Sequence, residues 1–176
     1  MTDLRQSEYE ALRATIRERG TMRLWAVLAG LSAWGALAIS VLITELQGSI
    51  TLVPLILLAA TFEVNFFVHT GVERIGRYIQ VFHEEASGAS GWESAAMTYG
   101  SAFPARGLDP LFVSLFSVSA AVNFLSALAA SIGHPAWIAL SVIAHAVFVY
   151  RIVTARKIAG AQRAIELARF RNMTSK

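Results

Sequence analysis

Long apolar runs alternate along this chain with shorter charged ones, and run length is what predicts the elements. Leu24–Thr44 and Leu111–Ile132 contain no charged residue, and Thr51–Gly71 contains only Glu63. Pro135–Val149 is uncharged and, continued through Thr154, takes in Arg151. A helix needs ~20 residues to cross ~30 Å of hydrocarbon. Four transmembrane helices are therefore expected, at 24–44, 51–71, 111–132 and 135–154. The fold class is all-α: an integral membrane four-helix bundle over 24–154, with a cytoplasmic N-terminal helix in 1–23 and a basic C-terminal helix in 155–176.

The polar stretches refine this. Beyond Gly71, Val72, Ile75, Ile79 and Phe82 keep helical spacing, so the second span should continue as one helix to about Glu85. Ser7-x-x-Glu10 reads as a capping box for a helix from about Glu8 to Glu18, with Gly20 as a weak joint before the first span. Residues 86–110, rich in Gly, Ser and Ala, read as a long cytoplasmic loop in which WESAAM forms one amphipathic turn. Arg156–Asn172 reads as a helix with Ile158, Ile165, Ala168 and Phe170 on its apolar side. It could lie along the membrane or pack on the extension of the second span.

Composition sharpens the class. The 176 residues are 55% hydrophobic and 15% charged, with a mean hydropathy of +0.53, against about 45–50% and about 25% in soluble domains. Disordered, collagen-like and coiled-coil chains are excluded. With no cysteine there is no disulfide framework, thiol catalysis or Cys-ligated metal. All 15 Lys and Arg fall before the first span, between the second and third, or at the end of the fourth and beyond. Both termini and the middle loop, with Arg106, are therefore expected on the cytoplasmic side of an inner or plasma membrane. That topology and anionic headgroups account for a pI near 9.7 without nucleic acid. The polar first twenty residues are unlike a cleavable signal peptide. Trp25 and Tyr150 suit the inner interface, and Trp137 the outer.

Charges within a bilayer are costly, and so become functional candidates. On the second span Asn65, His69 and Glu73 recur at four-residue spacing beside a strip of Glu63, Thr70, Arg74 and Arg77. Val64, Val68, Val72, Ile75 and Ile79 form the opposite side. Counted by depth, Asn123 and His145 come within about a turn of Glu63. Glu63, Asn65, His69, Asn123 and His145 are thus the candidates for an ion or proton path, or for polar glue between helices. Glu73, Arg74, Arg77 and His83 form a candidate polar cluster at the inner surface, which a solvated helix end would also explain. Ser32, Ala36 and Ser40 offer a small-residue stripe for helix contact, and Trp34 is read as a packing residue. The fragments Val64-Asn65-Phe66-Phe67 and Val122-Asn123-Phe124-Leu125 are too short an echo to mark a duplication.

No metal, cofactor or catalytic residue is expected. His69 and Glu73 share a face without further ligands from a second helix, and GxSxG and phosphate-binding loops are absent. Two functional readings follow. The first is an oligomeric channel or proton- or ion-linked transporter using Glu63, and four helices enclose so little space that it requires a homo-oligomer. The second is a non-catalytic sensor, adaptor or accessory subunit that docks a cytoplasmic or membrane protein through its cytoplasmic helices. An enzyme acting at the inner surface through Glu73, His69 and His83 is the weakest. The partners expected are the lipid bilayer, a second copy and a protein, with no nucleic acid.

Overall fold

The computed structural model describes residues 2–44, 48–88, 91–101 and 110–174. Every regular element among them is helical: α1 (Thr2–Ile43), a 3₁₀ turn (Gly48–Leu52), α2 (Val53–Ile79), a π turn (Gln80–Glu84) and a second 3₁₀ turn (Glu85–Ser87), then α3 (Trp92–Ser101), α4 (Pro110–Ala130) and α5 (Pro135–Thr174). Four of the helices are long and apolar enough to cross a membrane. The chain divides into two compact units. One, made of Leu24–Asn65 and Asp109–Ala155, carries the apolar runs; the other, made of Met1–Arg23, Phe66–Leu108 and Arg156–Lys176, carries most of the charge.

Three local expectations change. No joint forms at Gly20, because α1 is a single helix of 42 residues. A lone exposed Gly costs a helix only about 1 kcal/mol, too little to break one held on both sides. The fourth span and the C-terminal helix are likewise one element, the 40-residue α5. The 86–110 loop also contains more than a turn, since α3 spans ten residues within it. Residues 102–109, with Arg106, lie outside the described residues.

The reason for α3 is a cap supplied from elsewhere. Glu84, at the end of the π turn, accepts hydrogen bonds from the backbone N–H of Glu93 (2.9 Å) and Ser94 (2.8 Å) and from Ser94 Oγ (2.6 Å). These are the orphan donors of a helix N-terminus, and a carboxylate also suits its positive end. Gly91 admits the carboxylate, because a Cβ there would overlap it. Gly88, at φ +70°, closes the preceding turn in the left-handed region that glycine tolerates.

The apolar unit packs around phenylalanines. The Phe62 ring meets Phe112, Phe116 and Phe148 at centroid distances of 5.7, 5.3 and 5.9 Å, the last two edge-on, as aromatic quadrupoles prefer. Leu58, Ile152 and Ala155 complete a core without solvent access. In the charged unit Ile79 and Val81 are buried, and Tyr78 stacks on Phe82 at 4.6 Å with Phe170 edge-on at 5.8 Å. Phe170 thus packs the end of α5 against the extension of α2, one of the two dispositions its pattern allows.

Candidate functional site

In the apolar unit three helices contribute one chain of hydrogen bonds. Trp34 Nε1 donates to Asn123 Oδ1 at 3.1 Å. With that oxygen engaged, Asn123 Nδ2 donates to His145 Nε2, 3.0 Å away. His145 Nδ1 then carries the ring proton and donates it to the Ser141 carbonyl at 2.8 Å, with Ser141 Oγ 3.3 Å from the same nitrogen. The indole nitrogen can only donate, so it sets the direction of every later bond and selects one neutral imidazole tautomer. Phe124 closes over the ring at 5.2 Å. Asn123, His145 and Ser141 are all buried, where each satisfied group avoids a desolvation penalty of about 1–3 kcal/mol. Beside His145 a groove of about 310 Å³ opens between α4 and α5, lined by Ser117, Ala121, Phe124 and Ala146 among others.

Asn123 and His145 do meet, then, but Glu63 does not join them. Its carboxylate is held by Arg151, with Nε to Oε1 at 2.8 Å and Nη2 to Oε2 at 2.8 Å. The pair is bidentate, and it lies on the flank of the helices: 48% of the Glu63 side chain and 31% of Arg151 remain exposed. The interior beside it is filled by Phe62, above which the Arg151 guanidinium sits at 5.8 Å. Depth counting aligns Glu63 with Asn123 and His145 but ignores direction around α2. Consecutive residues are separated by about 100° on a helix, which turns Phe62 inward and Glu63 outward. Asn65 does point in. It is fully buried, its Nδ2 donates to the Thr61 carbonyl at 2.8 Å, and its Oδ1 has no protein partner among the described residues.

The charged unit gathers Glu73, Arg74 and Arg77, and adds Glu166 and Arg163 from α5. Arg77 is 1% exposed, so the solvated-helix-end reading does not hold for it. Its Nε donates to Glu166 Oε2 at 2.9 Å, its Nη2 bonds the same carboxylate, and its Nη1 donates to Glu73 Oε2 at 3.1 Å. Arg74 Nε takes the other Glu166 oxygen at 2.8 Å, and Arg163 pairs with Glu73. His69 Nε2 is 3.6 Å from Glu73 and its Nδ1 3.5 Å from Arg23. His83 stands apart from this cluster, against the Tyr9 ring at 5.6 Å and 3.7 Å from Glu8.

The carboxyls respond to these surroundings. Burial alone would raise Glu166, but hydrogen bonds from Arg77 and Arg74 outweigh it and hold the group below the usual carboxylate range. Burial likewise acts upward on Glu84, and the α3 donors, with Arg13 behind them, bring it down. Glu93 is pushed up by burial despite its 2.6 Å contact with Arg13.

Participants outside the sequence candidates include Trp34 as a donor, Ser141 as the His145 acceptor, Arg151 as the Glu63 partner, and Glu166 and Arg163. For Arg151 a signal exists, since it and Glu63 are the only charges in the four apolar runs and their signs are opposite. Among the described residues no three His, Asp or Glu side chains converge as metal ligands would. No protein-family model, curated protein or solved structure matches the chain.

Proposed function

We propose that this chain is an integral membrane protein whose four apolar helices cross the bilayer, with both termini and the α2–α4 connection cytoplasmic, and that it is a non-catalytic docking module. The membrane reading draws on four helices of sufficient length and apolarity. It draws also on the confinement of every Lys and Arg to three of the five polar stretches, Arg151 standing at the edge of the last. One observation supports docking over conduction. The carboxylate of the second apolar run turns to Arg151 on the flank, while four phenylalanines fill the interior beside it. A conducting path needs polar groups converging on water, whereas an ion pair on a bundle flank calls for a protein neighbour. On the cytoplasmic side α3 presents Trp92 and Tyr99, 68% and 70% exposed, residue types that anchor protein contacts.

Flux in proteoliposomes tests this. With gradients of H⁺, Na⁺, K⁺ and Cl⁻, wild type and Glu63→Gln should both be silent at matched reconstitution. Wild-type flux that the substitution abolishes would overturn docking in favour of transport. Transport keeps one observation of its own, the buried Asn65 Oδ1 that no protein group among the described residues satisfies.

A further inference from the structure

We infer that the flank carrying Glu63 and Arg151 is the interface with a second copy of this chain, two protomers packing α2 and α5 face to face about a twofold axis. The inference rests on the membrane reading above and names the partner at that flank. The pattern on both helices is that of a helix-packing seam. On α2, Ile56, Ala60 and Glu63 are exposed at spacings of four and three; on α5, Leu140, Val147 and Arg151 recur at seven and four, with Ala144 between the first two. Such 3–4 spacing keeps one stripe facing a neighbouring helix, and alanines near the middle of each stripe let backbones approach.

Charge identifies the occupant. Hydrocarbon is a poor cover for a half-exposed ion pair, and any protein cover must answer one positive and one negative group side by side. A second copy does so without further design. A twofold axis lays Glu63 of each protomer beside Arg151 of the other, so four charges alternate in a closed ring. Isologous contact of this kind uses the same patch twice, and it removes from lipid the part of the pair that its own chain leaves open.

Self-sorting tests this directly. Exchanging the charges, Glu63→Arg with Arg151→Glu, keeps the pair within the chain. A swapped protomer against a wild-type one, however, sets guanidinium beside guanidinium and carboxylate beside carboxylate across the axis. Wild type and the swapped chain, differently tagged and reconstituted together in lipid nanodiscs, should each pair with themselves, with mixed pairs about tenfold or more below their statistical share. Mixing at the statistical share overturns the interface. Should the swapped chain not fold, the absence of native cysteine gives a second route. Val147→Cys on the seam should cross-link between protomers and Val142→Cys, on the other side of α5, should not. Equal cross-linking at both, or none at Val147→Cys, overturns the interface. Protein that enters the bilayer but remains monomeric overturns the interface alone; protein that does not enter overturns the membrane reading and the interface with it.

Discussion

Arg77 and Arg151 make nearly the same interaction in two different settings. Each binds a glutamate, at sequence separations of 89 and 88 residues, and each does so with two nitrogens. In the charged unit Arg77 is enclosed, and Glu73 and Glu166 together engage all three of its guanidinium nitrogens. In the apolar unit nearly half of the side chain whose carboxylate Arg151 holds stays open. A buried guanidinium with two acceptors is a keystone: it organises α2 against α5 and has no capacity for anything new. A half-covered pair still has a face to offer, which is what the proposed interface uses.

Substitution should separate the two most sharply. Arg77→Met leaves two carboxylates without their shared partner inside the fold, and removal of one member of a buried pair costs about 3–5 kcal/mol. Denaturant unfolding in detergent should show that loss. Arg151→Met, in the same assay, should cost about 1 kcal/mol or less and instead reduce association in nanodiscs. Equal losses for the two would erase the distinction.

The polar chain in the apolar unit comes next in size. Replacing Asn123 by Leu removes a donor and an acceptor together and should destabilise by about 1–2 kcal/mol. Trp34→Phe, which frees only Asn123 Oδ1, should cost less than Asn123→Leu. If Trp34→Phe proves the costlier of the two, the indole acts through packing and its hydrogen bond is incidental.

Acid should act on the charged unit first. Glu84 and Glu166 titrate in the fold below their ordinary value of 4.5. Their contribution is therefore complete above that value and is lost as pH falls through the lower folded one. Glu93 runs the other way, its raised value offsetting part of the loss. Hydrogen exchange at the α3 amides, corrected for the intrinsic pH dependence of exchange, should lose protection as Glu84 is protonated. Glu84→Gln should weaken protection there at pH 7 already, since a neutral amide caps a helix N-terminus more weakly than a carboxylate. Protection of α3 that is unchanged in Glu84→Gln would remove the cap from the account.

The smallest effects concern glycine. At Gly20 a Cβ meets nothing, whereas at Gly30 it would overlap the Thr61 side chain. Gly20→Ala should raise stability by up to about 1 kcal/mol, and Gly30→Ala should lower it, both read by thermal unfolding. A stabilising Gly30→Ala would mean that α1 and α2 pack less closely than the Thr61 contact implies.

Much of the fold can be read from the chain because the decisive signals are local. An apolar run of twenty residues has few solutions, and four of them account for the all-helical character. What the chain does not disclose depends on distant groups. The α3 helix begins where a glutamate from before the intervening turn caps it, and its own Gly-, Ser- and Ala-rich stretch gives little sign of that. Glu166 and Arg163 look like ordinary solvated charges until α5 lies beside α2. Depth along the spans pairs Asn123 with His145 correctly. It misplaces Glu63, because depth is one coordinate and direction around the helix is another.

The hydrogen bonds from Trp34 to Ser141 carry a consequence for protons. A relay works by each member taking a proton on one side and releasing one on the other, then rotating back to repeat the cycle. An indole cannot accept, and a backbone carbonyl has nothing to release. The row is therefore closed at the indole, and reversing it would leave Trp34 facing an NH₂ group. It behaves as a latch: one arrangement, one polarity, holding α1, α4 and α5 together at a single level.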